Sequence, residues 1–374
     1  MSKNAKLRIA IVCDWITGVG GAERVVLELH KMFPRAPVYT SQYDPKKNEL
    51  FKNADVRTTW LQHLPMALRK FMPALRAWSF SRLDLSAYDL VISATGAEAK
   101  GVKIGPKTTH VCICFAPTHY YWSRYDQYLS HPGFGVFDPI AKLGLKMLVG
   151  RLRSWDYKAA QKPTHMIAIS THIKSEIKKY YDRECEIIFP PVDIERFVSS
   201  TRRKREGFVV AGRQTPYKRI DLAVAACTRA KLPLTVIGDG PEHQHLMDIA
   251  GPTVGFYSDV SDDDIAGYFQ SAEAFIFPGL DDFGIVAVEA MAAGTPVIAY
   301  KAGGALDYVI PRKTGVFFDE AGVKNLTQAL KAFRTLKFKT SDIEKQATKF
   351  SSVAFANNIN GYLDKIFGLK NKNA

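Results

Sequence analysis

Residues 274–300 read AFIFPGLDDFGIVAVEAMAAGTPVIAY. A four-residue apolar run ends at Pro278, an acidic loop carries Asp281 and Asp282, an alanine-rich helical segment opens near Gly284 and Ile285, and a second apolar run covers Thr295 to Tyr300. Strand, helix and strand within so short a span are a βαβ unit, which requires a parallel sheet. The first N–H groups of such a helix have no partner within it and carry partial positive charge, so its start is a place for an anion. Asp281 precedes those amides and Glu289 lies in the helix. Two readings stand at this point: both carboxylates border a ligand gripped by the helix, or Asp281 and Asp282 cap the helix and Glu289 is a solvated polar position.

Working outward, GFVVAGRQTPYKRIDLAVAA (207–226) has the same form: a strand over Phe208–Ala211, a loop opened by Gly212, then an apolar helix. Arg213 and Lys218 at that strand end suit a diphosphate, because arginine forks across two oxygens while lysine supplies a compact charge. LPLTVIGDGP repeats the strand-then-glycine pattern. Nearer the start, a strand over Leu7–Cys13 runs through Gly18, Gly20 and Gly21 into a helix in which Ala22, Val25, Val26 and Leu29 keep helical spacing. Neither the full GxGxxG pattern nor the Walker lysine is present, which argues against dinucleotide and NTPase sites. The fold class is α/β, with two doubly wound domains. Pro190 and Pro191 followed by the basic run at 201–205 mark the boundary, giving domains at 1–192 and 193–349. A terminal helix follows from 350, packing back on the first domain, with a lysine–asparagine tail read as disordered.

At 374 residues, with 47% hydrophobic and 24% charged residues, the composition is that of a folded globular protein. It has no apolar run long enough to cross a bilayer and, at its start, no apolar core of a secretory signal. Five cysteines set mostly in apolar runs read as buried thiols of a reducing cytoplasm, and no metal-ligand cluster stands out. A net charge of +14 favours anionic partners. From Trp60 to Leu85, Arg69, Lys70, Arg76 and Arg82 alternate with Leu68, Phe71, Met72, Leu75, Trp78 and Phe80. That mixture fits either an anionic membrane surface or two helices, separated at Pro73, buried in the domain. After the strand THVCIC, the loop carries His119, Tyr120, Tyr121 and Trp122, which either line a pocket or anchor the loop; His119 there is a candidate for proton transfer or hydrogen bonding. Residues 136–160 read as helical and basic.

Taken in order, the glycine loop, GRxxxxK, the GDGP turn and DDFGIVAVEAMAAGTPVIA resemble the retaining glycosyltransferases of family 4. The match is strongest over Phe208–Phe317, and within the family the chain looks most like mannosyltransferases of bacterial surface polysaccharide synthesis. The resemblance implies a GT-B fold, two Rossmann-like domains facing across a cleft, with acceptor binding in the first and nucleotide-sugar binding in the second. The donor is a nucleotide-diphosphate sugar, GDP-mannose favoured, with no metal or other cofactor. The acceptor is a saccharide or polyprenyl-linked saccharide, and the enzyme is cytoplasmic, peripheral on the inner face of the membrane. By the same resemblance Arg213 and Lys218 grip the diphosphate, Gly284 and Ile285 add their amides, and Glu289 holds the ribose. Asp281 faces the transferred sugar, Gly20 and Gly21 approach the donor from the first domain, and His119 is assigned to the catalytic set. Two motifs depart from the family pattern. Its EX7E motif begins with glutamate where this chain has Asp281, and its HTPxRYxW stretch has histidine and arginine where this chain has Phe115 and His119. A glycoside hydrolase using Asp281 and Glu289 leaves Arg213 and Lys218 without a use. A nucleic-acid binder rests on net charge and the Trp60–Leu85 segment alone. The transferase accounts for more of the chain than either.

Overall fold

The strands form because runs such as Ile9–Cys13 and Ala274–Phe277 are apolar at every position and buried at every position, the mark of parallel strands covered on both faces. The computed structural model describes residues 7–65, 72–130, 135, 138–198 and 204–368. Seven strands make one parallel sheet: β1 (Ile9–Cys13), β2 (Val38–Thr40), β3 (Val56–Thr58), β4 (Leu90–Thr95), β5 (Thr109–Cys114), β6 (His165–Ala168) and β7 (Glu186–Ile187). Six make another: β8 (Phe208–Ala211), β9 (Leu234–Ile237), β10 (Val254–Tyr257), β11 (Ala274–Phe277), β12 (Val297–Tyr300) and β13 (Gly315–Phe318).

The first sheet runs β3-β2-β1-β4-β5-β6-β7 and the second β10-β9-β8-β11-β12-β13. Both are doubly wound Rossmann orders. In each, the chain reverses direction across the sheet between its first and fourth strands, β1 and β4 or β8 and β11, and ligands of open α/β sheets bind outside the strand ends at that point. Register carries Ile9–Cys13 against Leu90–Ala94 and Ala274–Phe275 against Phe208–Val209.

By contacts, one unit comprises the chain to Ile169, Ile173–Phe189 and the chain from Ala356; the other comprises Ser170–His172 and Pro190–Phe355. The helix Ser352–Ile366 therefore starts with the second unit, where the Val192 amide donates to the Phe350 carbonyl (2.8 Å). It ends in the first, with Lys365 on Glu186 (2.6 Å). The residues read as a disordered tail, 369–374, lie outside the described residues. All five cysteines are buried free thiols.

In the Trp60–Leu85 segment, Leu61, Ala77, Phe80 and Leu85 are buried, as packing in the domain requires, while Trp60, Leu75 and Trp78 are exposed. Pro73 opens the helix Pro73–Arg82, taking the first position, where its missing N–H costs nothing. Phe80 is fully buried in the core with Val12 and Val91. Arg76, counted among the cations for a membrane, is 4% exposed and forks onto the buried Glu98 carboxylate at 2.9 and 3.3 Å. A guanidinium stays charged inside only when so paired. Trp78 remains exposed, edge-on to Trp60 at 5.8 Å and under Arg82 at 4.8 Å. Leu68, Arg69, Lys70 and Phe71 lie outside the described residues.

Replacing Arg76 with Met strands the Glu98 carboxylate in the interior. The first unit's unfolding transition in denaturant should lose about 3–5 kcal/mol; a loss within that of a surface substitution contradicts the buried pair.

Candidate active site

In the second unit the site grows from two neighbouring strand ends. β8 runs into Gly212, whose φ of +140° only glycine adopts readily. The next residue, Arg213, is exposed, and its side chain has no hydrogen bond or ion pair among the described residues. Gln214 then turns inward, fully buried. Its amide donates to the Gly238 carbonyl (2.6 Å) and its carbonyl oxygen meets His243 Nδ1 (2.8 Å), tying this loop to the GDGP turn. A single turn of helix, Pro216–Lys218, carries the chain to the helix Ile220–Ala230.

β11 runs into Pro278 and Gly279. A Cβ at 279 would lie 2.6 Å from the Tyr217 carbonyl oxygen and 2.7 Å from that of Lys218, closer than real Cβ contacts come. Glycine is therefore what lets the two loop backbones touch. The consequence is a direct ion pair between Lys218 Nζ and the Asp281 carboxylate, both side chains largely shielded. The Asp281 carbonyl also accepts from the Gly304 amide (2.9 Å).

The helix that follows, Ile285–Ala292, has Gly284 as its N-cap at φ +93° and no side-chain cap. Asp281 is turned to Lys218, and the capping position belongs to a residue with no side chain. Nor is Glu289 solvated; it is 7% exposed on the buried helix. Contact between side chains is thus direct for Lys218 and Asp281. Arg213, Gly284 and Ile285 stand on the same two loops, and Glu289 is one helical turn further on.

In the first unit Gly20 caps the helix Gly21–Met32 in extended conformation. A cavity of about 210 Å³ opens at the ends of β1, β4 and β5, lined among others by Asp14, Glu23, Phe115, His119 and Tyr120. Phe115 and His119, which stand where the resembling stretch has histidine and arginine, both face this one cavity. His119 Nδ1 meets Ser123 Oγ at 2.8 Å.

Sequence reading missed the charged frame beneath the cavity. Asp14 accepts from the Thr95 hydroxyl (2.7 Å) and the amides of Gly96 (3.0 Å) and Ala99 (2.9 Å). Burial first, then the nearby Glu98 charge, pushes its carboxyl above the usual range. Glu98 takes the Tyr120 hydroxyl at 2.5 Å and that of Tyr121 at 3.1 Å. Lys100 pairs with Asp156 at 2.6 Å, and Asp156 also accepts from Thr118 (2.9 Å), Trp122 Nε1 (2.7 Å) and the Tyr181 hydroxyl (2.7 Å). The aromatic loop thus does both things foreseen for it: His119 and Tyr120 line the cavity, while Tyr121 and Trp122 are pinned below. The available signal was the pair Glu98 and Lys100 directly after an apolar strand. Among the described residues, no cluster of three or more His, Cys, Asp and Glu side chains is placed to hold a metal ion.

A family model described as glycosyl transferases group 1 matches residues 191–350. The chain is 35% identical over 144 residues to a GDP-mannose-dependent alpha-mannosyltransferase of Mycolicibacterium smegmatis, a match covering 35% of this chain and 38% of that one. It is 27% identical over 205 residues to a glycogen synthase of Mycobacterium tuberculosis, covering 50% of this chain and 49% of that one. The matches thus span half or less of these curated relatives. In fold the likeness covers nearly the whole chain. Anabaena Alr3699/HepE, solved in complex with UDP and glucose, aligns with a TM-score of 0.68 at 18% identity over 96% of this chain and 99% of that one. The architecture is GT-B, and in residues 191–350 the chain carries a glycosyl transferases group 1 domain.

Proposed function

We propose that the chain is a retaining glycosyltransferase that moves a hexose, mannose favoured, from a nucleotide-diphosphate sugar to a polyprenyl-linked saccharide acceptor in cell-surface glycan synthesis. The observation that carries the reading is the loop pair after β8 and β11. There an exposed Arg213, the Lys218–Asp281 ion pair and a helix start capped only by Gly284 stand at the switch point of a Rossmann sheet. Such a cluster matches a diphosphate in charge and in donor geometry.

In this reading Arg213, Lys218 and the amides of Gly284 and Ile285 take the diphosphate, and Glu289 takes the ribose hydroxyls. Lys218 holds Asp281 toward the transferred sugar. As the bond from the anomeric carbon to phosphate breaks, the cations and amides stabilise charge developing on the leaving nucleoside diphosphate. The acceptor hydroxyl forms the new bond on the face the leaving group departs, and its proton passes to a phosphate oxygen. Gly20, Gly21 and His119 serve the reaction from the first unit. GDP-mannose is favoured as donor by the mannosyltransferase likeness; the glycogen synthase likeness supports a glycosyltransferase without naming the sugar. Location on the inner face of the cytoplasmic membrane belongs to the same proposal. No helix among the described residues is long and apolar enough to cross a membrane.

Nucleotide sugars screened for protection against thermal unfolding should single out one donor, because ligand binding to the native state alone raises stability by mass action. Arg213→Ala should weaken that donor's binding about tenfold to a hundredfold; unchanged affinity refutes the diphosphate assignment.

Asp281→Glu should preserve or improve transfer, and Asp281→Ala should lower kcat more than it weakens donor binding. Full activity in the alanine variant sinks the sugar-contact role.

A further inference from the structure

The helix Asp138–Gln161 is two things along its length. Its second half is anchored: Leu152, Asp156, Ala159 and Ala160 are buried, and Asp156 holds Lys100. Trp155 packs so tightly over Gly101 that a Cβ there would lie 2.7 Å from its ring. The first half is not anchored in this way. Ile140 is 71% exposed, Leu143 61% and Met147 73%, each a large side chain that folding ordinarily covers.

At about 100° per residue, Leu143, Met147 and Ile140 fall within an arc of about 60° that lies roughly opposite Leu152, Asp156 and Ala159. The apolar face therefore points away from the unit's own core. Lys146 lies about 60° beyond one side of the arc and Arg151 about 20° beyond the other; both are exposed, and neither has an ion pair among the described residues. Between Pro139 and Trp155 there are four cations, Lys142, Lys146, Arg151 and Arg153, and no acidic residue. Arg153 is turned inward, its Nε donating to the Tyr121 carbonyl at 2.6 Å.

From this we infer that the outer half of the helix Asp138–Gln161 docks on an anionic lipid surface, Ile140, Leu143 and Met147 entering the acyl boundary while Lys146 and Arg151 meet the headgroups. A narrow apolar arc edged by cations and free of carboxylates is complementary to a surface that is apolar within and negative outside. This element is distinct from the Trp60–Leu85 segment, whose Arg76 is spent on Glu98. The two are neighbours, since Trp155 Nε1 donates to Ser81 Oγ at 3.1 Å. Docking does not depend on the donor site: a chain that transfers no sugar still binds lipid.

The test is co-sedimentation of the full chain with phosphatidylcholine vesicles, with and without phosphatidylglycerol. The wild type should pellet with the anionic vesicles alone. Ile140→Ser/Leu143→Ser/Met147→Ser and Lys146→Glu/Arg151→Glu should each lose binding by at least about tenfold while unfolding at the wild-type temperature, since every changed side chain is exposed. Trp78→Ser should bind as the wild type does. Equal binding of the helix variants, loss confined to Trp78→Ser, or no binding of the wild type overturns the inference. So does a wild-type dimer in sedimentation velocity that the triple serine variant dissolves, which assigns the face to a second copy of the chain.

Discussion

One close approach governs the second unit's site: the backbone of Gly279 against the carbonyls of Tyr217 and Lys218. No side chain fits between those loops, so they are held at a fixed separation by main-chain packing. The Lys218–Asp281 ion pair follows from that separation. With both groups shielded from water, the attraction is stronger than for an exposed pair, and neither side chain has to be ordered when a ligand arrives. The helix start at Gly284 extends the same logic. Its cap has no side chain, and a Cβ there would meet the Phe277 ring at 2.5 Å. Glycine at 279 lets the two loop backbones touch, and glycine at 284 leaves room for the Phe277 ring and the Tyr308 hydroxyl beneath the helix start.

The first unit solves a different problem. Its cavity sits over Arg76–Glu98 and Lys100–Asp156, two ion pairs almost wholly removed from solvent. Each costs desolvation and is retained only because tyrosine, threonine and tryptophan donors satisfy the remaining oxygens. The return is a rigid aromatic loop: Glu98 fixes Tyr120, and Asp156 fixes Trp122. With Tyr120 fixed and His119 bonded to Ser123, the cavity wall is preorganised.

How much of this the sequence discloses depends on the range of the interaction. Strands and the turns after them are local, and apolar runs ending at Pro278, Gly212 and Gly238 mark them plainly. Strand order is not local, yet the repeated strand–loop–helix pattern points to the doubly wound class. Arg213, Lys218 and Asp281 draw attention because unusual residues cluster at strand ends. The partnership of Arg76 with Glu98, or of Lys100 with Asp156, joins residues 22 and 56 positions apart by their numbering; Glu98 and Lys100 after an apolar strand signal buried charge without naming the partners. Sequence alone therefore leaves Arg76 open between a membrane surface and a helix packed in the domain. The same blindness hid the outward apolar arc of the helix Asp138–Gln161, because periodicity shows that a helix has an apolar face without showing which way the fold turns it.

The central claim is that the loops after β8 and β11 hold a nucleoside diphosphate. Hydrogen–deuterium exchange with and without GDP or UDP tests it most directly, since a bound diphosphate must take hydrogen bonds from specific amides. Peptides covering residues 212–219 and 279–292 should gain protection with at least one nucleotide. Unchanged exchange there, under conditions where the nucleotide is bound, would contradict the account.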